Sequence, residues 1–290
     1  MPMPLEREKP NEGVQQALAR FQSVDHLLVR PKLADINDAL NGPAGPSASR
    51  ISLLDYQELE QRIKNFPADP IPYMQLAEIY DRQLRSKDTM RVLNAGVQHN
   101  PEYEPLIVFR EELVLGAAQQ SLQEAWRVFQ QEASDEHELD WQRAQTNLAN
   151  EQIAFCQARF TRHPEQKELM IPWAAALRSL GRIEDAMQLL KQSVEVPELR
   201  APSALELGQC YELSSQPLEA FSAYRTAALF RDPPPPIKIK TDAIRMALRL
   251  AERLNMIDAA KRYATFLLEC NVDDRAAIQH QLERLQRKLL

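Results

Sequence analysis

Prolines divide the middle of this 290-residue chain at intervals that repeat. Pro67 and Pro101 are 34 residues apart, Pro101 and Pro164 are 63 apart, and Pro164 and Pro197 are 33 apart. Between successive prolines, apolar residues follow helical spacing, then a short break, then helical spacing again. Two helices in a period near 34 residues indicate an array of helix pairs, in which no pair buries its apolar face alone. The longer middle interval predicts two shortened repeats.

The composition agrees with helices rather than sheets. Hydrophobic residues make up 44% of the chain and charged residues 26%, which is the range of a folded protein. Only seven glycines are present, while alanine, leucine, glutamate, glutamine and arginine recur throughout. This balance favours long helices over turn-rich sheets.

The clearest repeat lies between Ala201 and Asp232. Its characteristic residues occupy positions i, i+1, i+4, i+13, i+17 and i+20: Leu207, Gly208, Tyr211, Ala220, Tyr224 and Ala227. A glycine inside a helix costs about 1 kcal/mol relative to alanine, so Gly208 predicts a close crossing of two helices. The segment resembles the tetratricopeptide repeat, whose small residues let paired helices approach and whose aromatic residues fill the space between successive pairs.

Other segments keep the same spacing. One contains Tyr73, Leu76, Ala77, Tyr80, Leu93, Gly96 and Pro101, and another contains Trp173, Ala174, Leu177, Gly181, Ala186, Leu190 and Ser193. Near the end, Ala247, Ala251, Ala260, Ala264 and Leu267 repeat the pattern, and a more polar helix over 275–289 closes the array. In residues 104–163 only Ala125 and Phe129 match, and the break between helices is placed around residues 147–150.

The resemblance covers residues 51–290 and implies an all-α fold. We expect a right-handed solenoid of about six tetratricopeptide-like helix-turn-helix repeats with a C-terminal capping helix. Residues 1–50 are predicted to be an appended region, with an amphipathic helix over 11–30 and a flexible linker that contains the Gly- and Pro-rich segment 41–49. Ser52 is a predicted N-cap, followed by an apolar stripe of Leu59, Ile63 and Phe66.

No residue set predicts a catalytic, metal or cofactor site. The acidic run at 135–140 indicates a solvated helix start, because carboxylates are favoured in a first turn and neighbours on a helix point apart. His99 and His163 are expected at helix C-termini for the same electrostatic reason. Cys156, Cys210 and Cys270 are widely spaced, which predicts buried thiols rather than disulfides or a zinc site.

Charge and hydropathy narrow the classes of partner. A net charge of −6 gives no general attraction to phosphate backbones or anionic lipid, so neither nucleic acid nor membrane is an expected partner. No secretory signal and no apolar run of about 18 residues is visible, so we expect a cytoplasmic protein. The sequence leaves the oligomeric state open.

One basic strip is the candidate binding site. Arg245, Arg249 and Arg253 are spaced by four, so they share one helix face, and Lys238 and Lys240 precede them. The resemblance places that face on a concave groove, where it suits the carboxylates of an acidic or C-terminal peptide. The alternative is that Asp242 and Glu252 neutralise an ordinary exposed face.

Two features bear on the ligand class. Some family members clamp a terminal carboxylate with basic and amide residues on three successive helices. Here the corresponding positions are Met74, Glu78, Asp81, Leu205 and Gln209, so that clamp is incomplete. The run Pro233–Pro236 is either a polyproline docking segment or a stiff loop between repeats, and the repeat boundary favours the loop.

The resemblance implies a non-catalytic scaffold or adaptor that binds a protein or peptide segment in the groove. The alternative is an enzyme or nucleic-acid-processing protein on a helical scaffold, with a site that the sequence does not reveal. A further hypothesis is that the N-terminal helix, with Leu18 and Phe21, occupies the groove and regulates access to it.

Overall fold

A computed structural model describes residues 53–270 and 274–287, and in these ranges the chain forms twelve α-helices and no strand. The helices are α1 (Leu53–Asn65), α2 (Pro70–Arg82), α3 (Ser86–His99), α4 (Glu104–Gln131), α5 (Asp135–Arg162), α6 (Met170–Ser179), α7 (Ile183–Ser193), α8 (Arg200–Leu213), α9 (Pro217–Leu229), α10 (Ile237–Arg253), α11 (Ile257–Glu269) and α12 (Arg275–Arg287). Short 3₁₀ turns precede α6 and α8, at Lys167–Leu169 and Pro197–Leu199. The predicted all-α helical-repeat fold is confirmed.

The N-terminal predictions fall outside the described residues. These are the helix over 11–30, the linker through 41–49 and the N-cap at Ser52. The predicted apolar stripe of α1 is only partly right. Leu59 is buried and Ile63 half-buried, but α1 ends at Asn65 and Phe66 is 64% exposed in the turn that follows it.

As predicted, the intervals Pro67–Pro101 and Pro164–Pro197 each hold one helix pair, α2/α3 and α6/α7. The pairs α8/α9 and α10/α11 follow Pro197, with α12 packed on α11 as the capping helix. The prediction of two short repeats in residues 104–163 is wrong. That interval holds a single elongated pair, α4 and α5, of 28 residues each.

The break between α4 and α5 lies at residues 132–134, not near 147–150. Ser134 has an extended backbone and is the N-cap of α5, and its Oγ accepts a hydrogen bond of 3.2 Å from the amide of His137 in the first turn. Asn147 and Asn150 lie inside α5, where each costs less than about 1 kcal/mol of helix propensity. Leu148 and Ala149 between them are buried, and this packing outweighs that cost.

The chain divides into two compact units at Ala117 and Ala118, inside α4. In the first unit, α1 packs on α2, α2 on α3, and the start of α4 contributes Leu106 and Phe109 to the same buried cluster as Tyr73 and Leu93. In the second unit, α5 packs on α6, and each later helix packs on the next one along the chain through α12.

The close helix crossing predicted at Gly208 is present between α8 and α9. A Cβ atom on Gly208 would lie 2.4 Å from Cε1 and 2.6 Å from Cδ1 of Tyr224, so the ring of Tyr224 occupies the space of a side chain. Tyr224 is fully buried, and its hydroxyl donates a hydrogen bond of 2.6 Å to Glu212. Burial and this hydrogen bond raise the pKa of Tyr224 far above its usual value.

The positions equivalent to Gly208 and Tyr224 carry residues of compensating size in four helix pairs. In each pair the two residues are 16 positions apart and both are buried: Ala77 with Leu93, Ala174 with Leu190, Gly208 with Tyr224, and Leu248 with Ala264. Each small residue is matched with a larger one, as close packing at nearly constant volume requires. A further small residue, fully buried in every pair, follows 12 positions after the first: Thr89, Ala186, Ala220 and Ala260.

Gly208→Ala tests this crossing. In the native chain we expect a loss of about 1–3 kcal/mol of unfolding free energy, because overpacking against the buried ring exceeds the gain of about 1 kcal/mol in helix propensity. In a Tyr224→Leu background, which recreates the Ala and Leu combination of α2/α3, the same substitution is expected to be neutral or stabilising. Urea unfolding of the four proteins of this cycle measures the coupling, and additive effects would contradict the crossing.

The turns within four helix pairs are built alike. The residue after the helix cap has a positive φ: Leu84 (59°), Gly181 (76°), Ser215 (57°) and Asn255 (55°). Its amide donates to the carbonyl three residues back, and the next amide donates to the carbonyl five residues back, for example Gly181 to Arg178 and Arg182 to Leu177. This is the Schellman arrangement, which satisfies carbonyls that the helix end leaves without partners.

Leu84 and Gly181 provide opposite tests of this turn. Leu84 is 90% exposed, so Leu84→Gly loses little burial and removes strain of about 1 kcal/mol. Gly181→Ala places a side chain at φ 76° in open space, so its expected cost of about 1 kcal/mol is purely conformational. Thermal unfolding should therefore show a higher Tm for the first variant and a lower Tm for the second, and equal shifts would argue against the shared turn.

The cysteine and histidine predictions hold with one exception. Cys156 and Cys210 are buried, and burial raises the pKa of each thiol to about 12, so both are protonated at neutral pH. Cys270 is only half-buried. His99 is the last residue of α3, and His163 caps the C-terminus of α5. No helix among the described residues is long and apolar enough to cross a bilayer.

Candidate functional site

The arginines of the predicted strip lie on α10, whose other side forms the core of the last helix pair. Ala243, Ile244, Ala247, Leu248 and Ala251 of α10 are all buried in one cluster with α9 and α11. These residues hold one side of α10 against its neighbours. Arg245, Arg249 and Arg253 lie on a different side of α10, outside this buried cluster.

Arg245 is tied to the residue that precedes the capping helix. Its guanidinium makes a two-pronged contact with the carboxylate of Asp274, in which Nη2 donates to Oδ1 at 2.7 Å and Nη1 contacts Oδ2. The hydrogen bond from Arg245 holds the pKa of Asp274 below its usual value of 3.8. Both side chains remain partly exposed, so this pair positions Arg245 more than it stabilises the fold.

Arg253 is tied to the preceding helix pair. Its Nη2 lies 3.1 Å from Oε2 of Glu212 on α8, while Oε1 of the same carboxylate accepts the hydroxyl of Tyr224 on α9. Glu212 therefore links α8, on which it lies, to α9 and α10. Arg253 is still 58% exposed, so part of its guanidinium faces solvent.

Arg249 lies between these two arginines and differs from them. It is exposed, and no carboxylate of the described residues forms an ion pair with it. The alternative prediction is that Glu252 helps to neutralise the strip. The hydrogen bonds that Glu252 accepts come from α12 instead, from Gln281 at 2.7 Å and Arg284 at 2.9 Å. Carboxylates outside α10 also engage the strip: Asp274 pairs with Arg245, and Glu212 pairs with Arg253.

The two lysines are placed differently from each other. α10 begins at Ile237, so Lys238 and Lys240 are in its first turns rather than in an approach segment. Lys238 is exposed and precedes Arg245 by seven positions, close to two helical turns, which keeps it near the strip. Lys240 is half-buried and lies about 140° around the helix from Arg245, on a different side of α10. The Pro233–Pro236 run is the loop between α9 and α10.

A row of polar contacts continues along the first helices of successive pairs. Arg178 of α6 pairs with Glu206 of α8 at 3.0 Å, ahead of the contacts that link α8 to α10 and α10 to α12. Leu205 and Gln209, which occupy the clamp positions on α8, are buried, so they present little surface to a ligand. Sequence reasoning missed Glu212 and Asp274, because their separations of 41 and 29 residues from their arginines follow no helical spacing.

Comparisons with known proteins give structural neighbours only. No protein-family model and no curated protein matches the sequence. Among solved structures, one chain of the Naa15/Naa10 complex bound to HypK-THB has a TM-score of 0.43 at 12% identity over 92% of this chain. A tetratricopeptide repeat protein from Parabacteroides merdae has a TM-score of 0.37 at 10% identity over 93%, and the TPR domain of P58(IPK) has 0.33 at 16% identity over 97%.

The matched region is a different fraction of each neighbour's own length. This chain spans 39% of the Naa15/Naa10 complex chain, 99% of the Parabacteroides merdae protein and 70% of the P58(IPK) chain. The compensating crossings and the four Schellman turns, in helix pairs with small and aromatic residues at the expected positions, describe the fold directly. The fold is tetratricopeptide-like.

The ion pair at the end of the strip has a defined pH dependence. Because the folded pKa of Asp274 is lowered, its contribution is present above pH 3.8 and is lost as the pH falls through the folded pKa. Asp274→Asn is therefore expected to cost about 0.2–1 kcal/mol near pH 7 and nothing in strong acid. Titration of the Asp274 carboxyl by NMR should give a pKa below 3.8 in the native chain and a pKa in the usual range in Arg245→Ala. The same Asp274 pKa in both proteins would contradict the ion pair.

Proposed function

We propose that the chain is a non-catalytic interaction scaffold, and that the face of α10 with Arg245, Arg249 and Arg253 binds a carboxylate-bearing segment of another protein. The observation that supports this most is the exposed guanidinium of Arg249, between two arginines that neighbouring helices hold in place. A planar guanidinium suits bidentate recognition of a carboxylate.

The flanking ion pairs favour binding by preorganisation. Ordering a long, flexible side chain costs about 0.5–1.5 kcal/mol on association, and Arg245 and Arg253 are already ordered in the free protein. Each guanidinium has five N–H donors. Arg249, which forms no ion pair among the described residues, can donate to ligand oxygens without breaking the pairs of Arg245 and Arg253.

Charge balance favours one class of ligand. The pairs with Glu212 and Asp274 reduce the net positive charge of the strip, so a single surface carboxylate would gain little. A segment with several carboxylates, or one that adds a free C-terminus, gains charge-assisted hydrogen bonds at Arg249 that are worth about 1.5–3 kcal/mol each. Lys238 extends the positive potential along the same side of α10.

The test measures binding of fluorescein-labelled peptides to the full chain by anisotropy. One peptide is glutamate-rich with a free C-terminus, and its partner has glutamine in place of glutamate and a C-terminal amide. We expect the acidic peptide to bind, and Arg249→Glu to weaken it by about tenfold or more. Arg249→Lys keeps the charge but loses the bidentate geometry, so it should have an intermediate effect.

Arg262→Glu is the matched control, because Arg262 is also an exposed arginine on a helix of the same compact unit but lies on α11. It changes net charge by the same amount and should leave the affinity unchanged. Equal losses of affinity in Arg249→Glu and Arg262→Glu would show that the peptide is held only by general electrostatic attraction, which would contradict the proposed site. Equal binding of the acidic and amide peptides would refute the assignment of ligand class.

A further inference from the structure

Three aromatic rings contact one another near the free end of the hairpin formed by α4 and α5. The ring centroids of Trp126 and Trp141 are 5.3 Å apart, and Phe129 lies 5.9 Å from each of them, stacked on Trp141 at an interplanar angle of 5°. All three side chains are half-buried, so part of each ring remains at the surface. We call this group the aromatic cluster.

Helix length explains why the cluster is not covered by α6. Phe160 contacts Trp173 of α6, and Ile153 packs against the cluster around Leu177, so the C-terminal half of α5 holds α6. α5 is about 42 Å long and α6 about 15 Å, and the N-terminal half of α5 therefore extends past it. Partly exposed tryptophans at such a place are typical of interaction surfaces, because they combine a large apolar area with few rotatable bonds.

The end of the hairpin is acidic. Glu132, Asp135, Glu136 and Glu138 are exposed, and among the described residues no cation forms an ion pair with any of them. The two arginines nearby are already engaged, Arg127 with Glu124 at 2.6 Å and Arg143 with Asp140 at 3.2 Å.

The position of these carboxylates connects them to the cluster. The dipole of α5 favours acidic residues in its first turn, but Glu132 precedes that helix. Glu138 precedes Trp141 by three positions on α5, and Glu132 follows Phe129 by three just past the end of α4, so this spacing is expected to bring both carboxylates near the rings.

We propose that this hairpin end is a docking surface for a basic amphipathic helix of a partner protein. The apolar side chains of that helix pack on the aromatic cluster, and its lysines and arginines pair with Glu132 and Glu138. The aromatic cluster and the carboxylates both favour cations. An aromatic face attracts a guanidinium or ammonium group within about 6 Å, and a carboxylate attracts the same groups over a longer range. The surface is independent of the strip on α10, which has the opposite charge preference.

The same charges argue against a second copy of this chain as the occupant. Two copies that met through their hairpin ends would bring eight uncompensated carboxylates together, four from each, and like charges at short range cost several kcal/mol. A basic partner gains attraction where a second copy meets repulsion. Self-association through the hairpin is therefore an outcome that the experiment must exclude.

The experiment uses the full chain and a synthetic helical peptide with leucines on one face and lysines on the other. Binding is followed by anisotropy of the labelled peptide at two salt concentrations. We expect saturable binding that weakens as salt increases, and about tenfold weaker binding of a peptide with the same residues in scrambled order. Glu132→Gln with Glu138→Gln should weaken the ordered peptide by about tenfold, and Trp126→Gln should do so at both salt concentrations.

The matched control is Glu219→Gln with Asp258→Asn, which removes two exposed carboxylates from the first turns of α9 and α11. It should leave the affinity unchanged. Absence of binding, equal binding of the ordered and scrambled peptides, or equal effects of the two double variants would overturn the proposal. Sedimentation showing a dimer that Trp126→Gln dissociates would assign the surface to a second copy and would overturn it as well. Circular dichroism establishes that each variant is folded.

Discussion

The structure depends on the close crossing within each helix pair. At Gly208, the ring of Tyr224 lies where a side chain would begin, and at the equivalent points alanine is matched with leucine in either order. Because interiors are packed at nearly constant density, a small residue on one helix allows a large one on its partner. The helices can then approach closely enough to bury both apolar faces, which no single helix of this length achieves in water.

Glu212 shows how the crossing also organises polar groups. Its carboxylate accepts the hydroxyl of the Tyr224 ring that fills the crossing, and it pairs with Arg253 of the next repeat. One side chain thus couples the interior of α8 and α9 to the surface of α10. Contacts of Arg178, Arg245 and Glu252 extend this pattern along the first helices of the pairs. Arginine orientation on the candidate site is consequently a product of repeat stacking.

The long pair α4 and α5 gives the chain a second kind of surface. A repeat of ordinary length buries its residues against the pairs before and after it, but a helix of 28 residues exceeds the neighbour on which it packs. The residues at its free end are therefore released from core packing. Here they are tryptophans and carboxylates, so one compact unit carries a basic strip on α10 and an acidic aromatic surface on the hairpin.

Local sequence determined the helices, most of their boundaries and the crossing positions, because propensity, capping and spacing act over a few residues: Pro217 begins α9, and Gly208 marks a crossing. The tertiary structure decided which partners meet. The length of α5 depended on burial of Leu148 and Ala149, which outweighs the weak propensity of the asparagines beside them. The pairing of Arg245 with Asp274 and of Arg253 with Glu212 depended on helix stacking, since ion pairs form between residues that are close in space however far apart they lie in sequence.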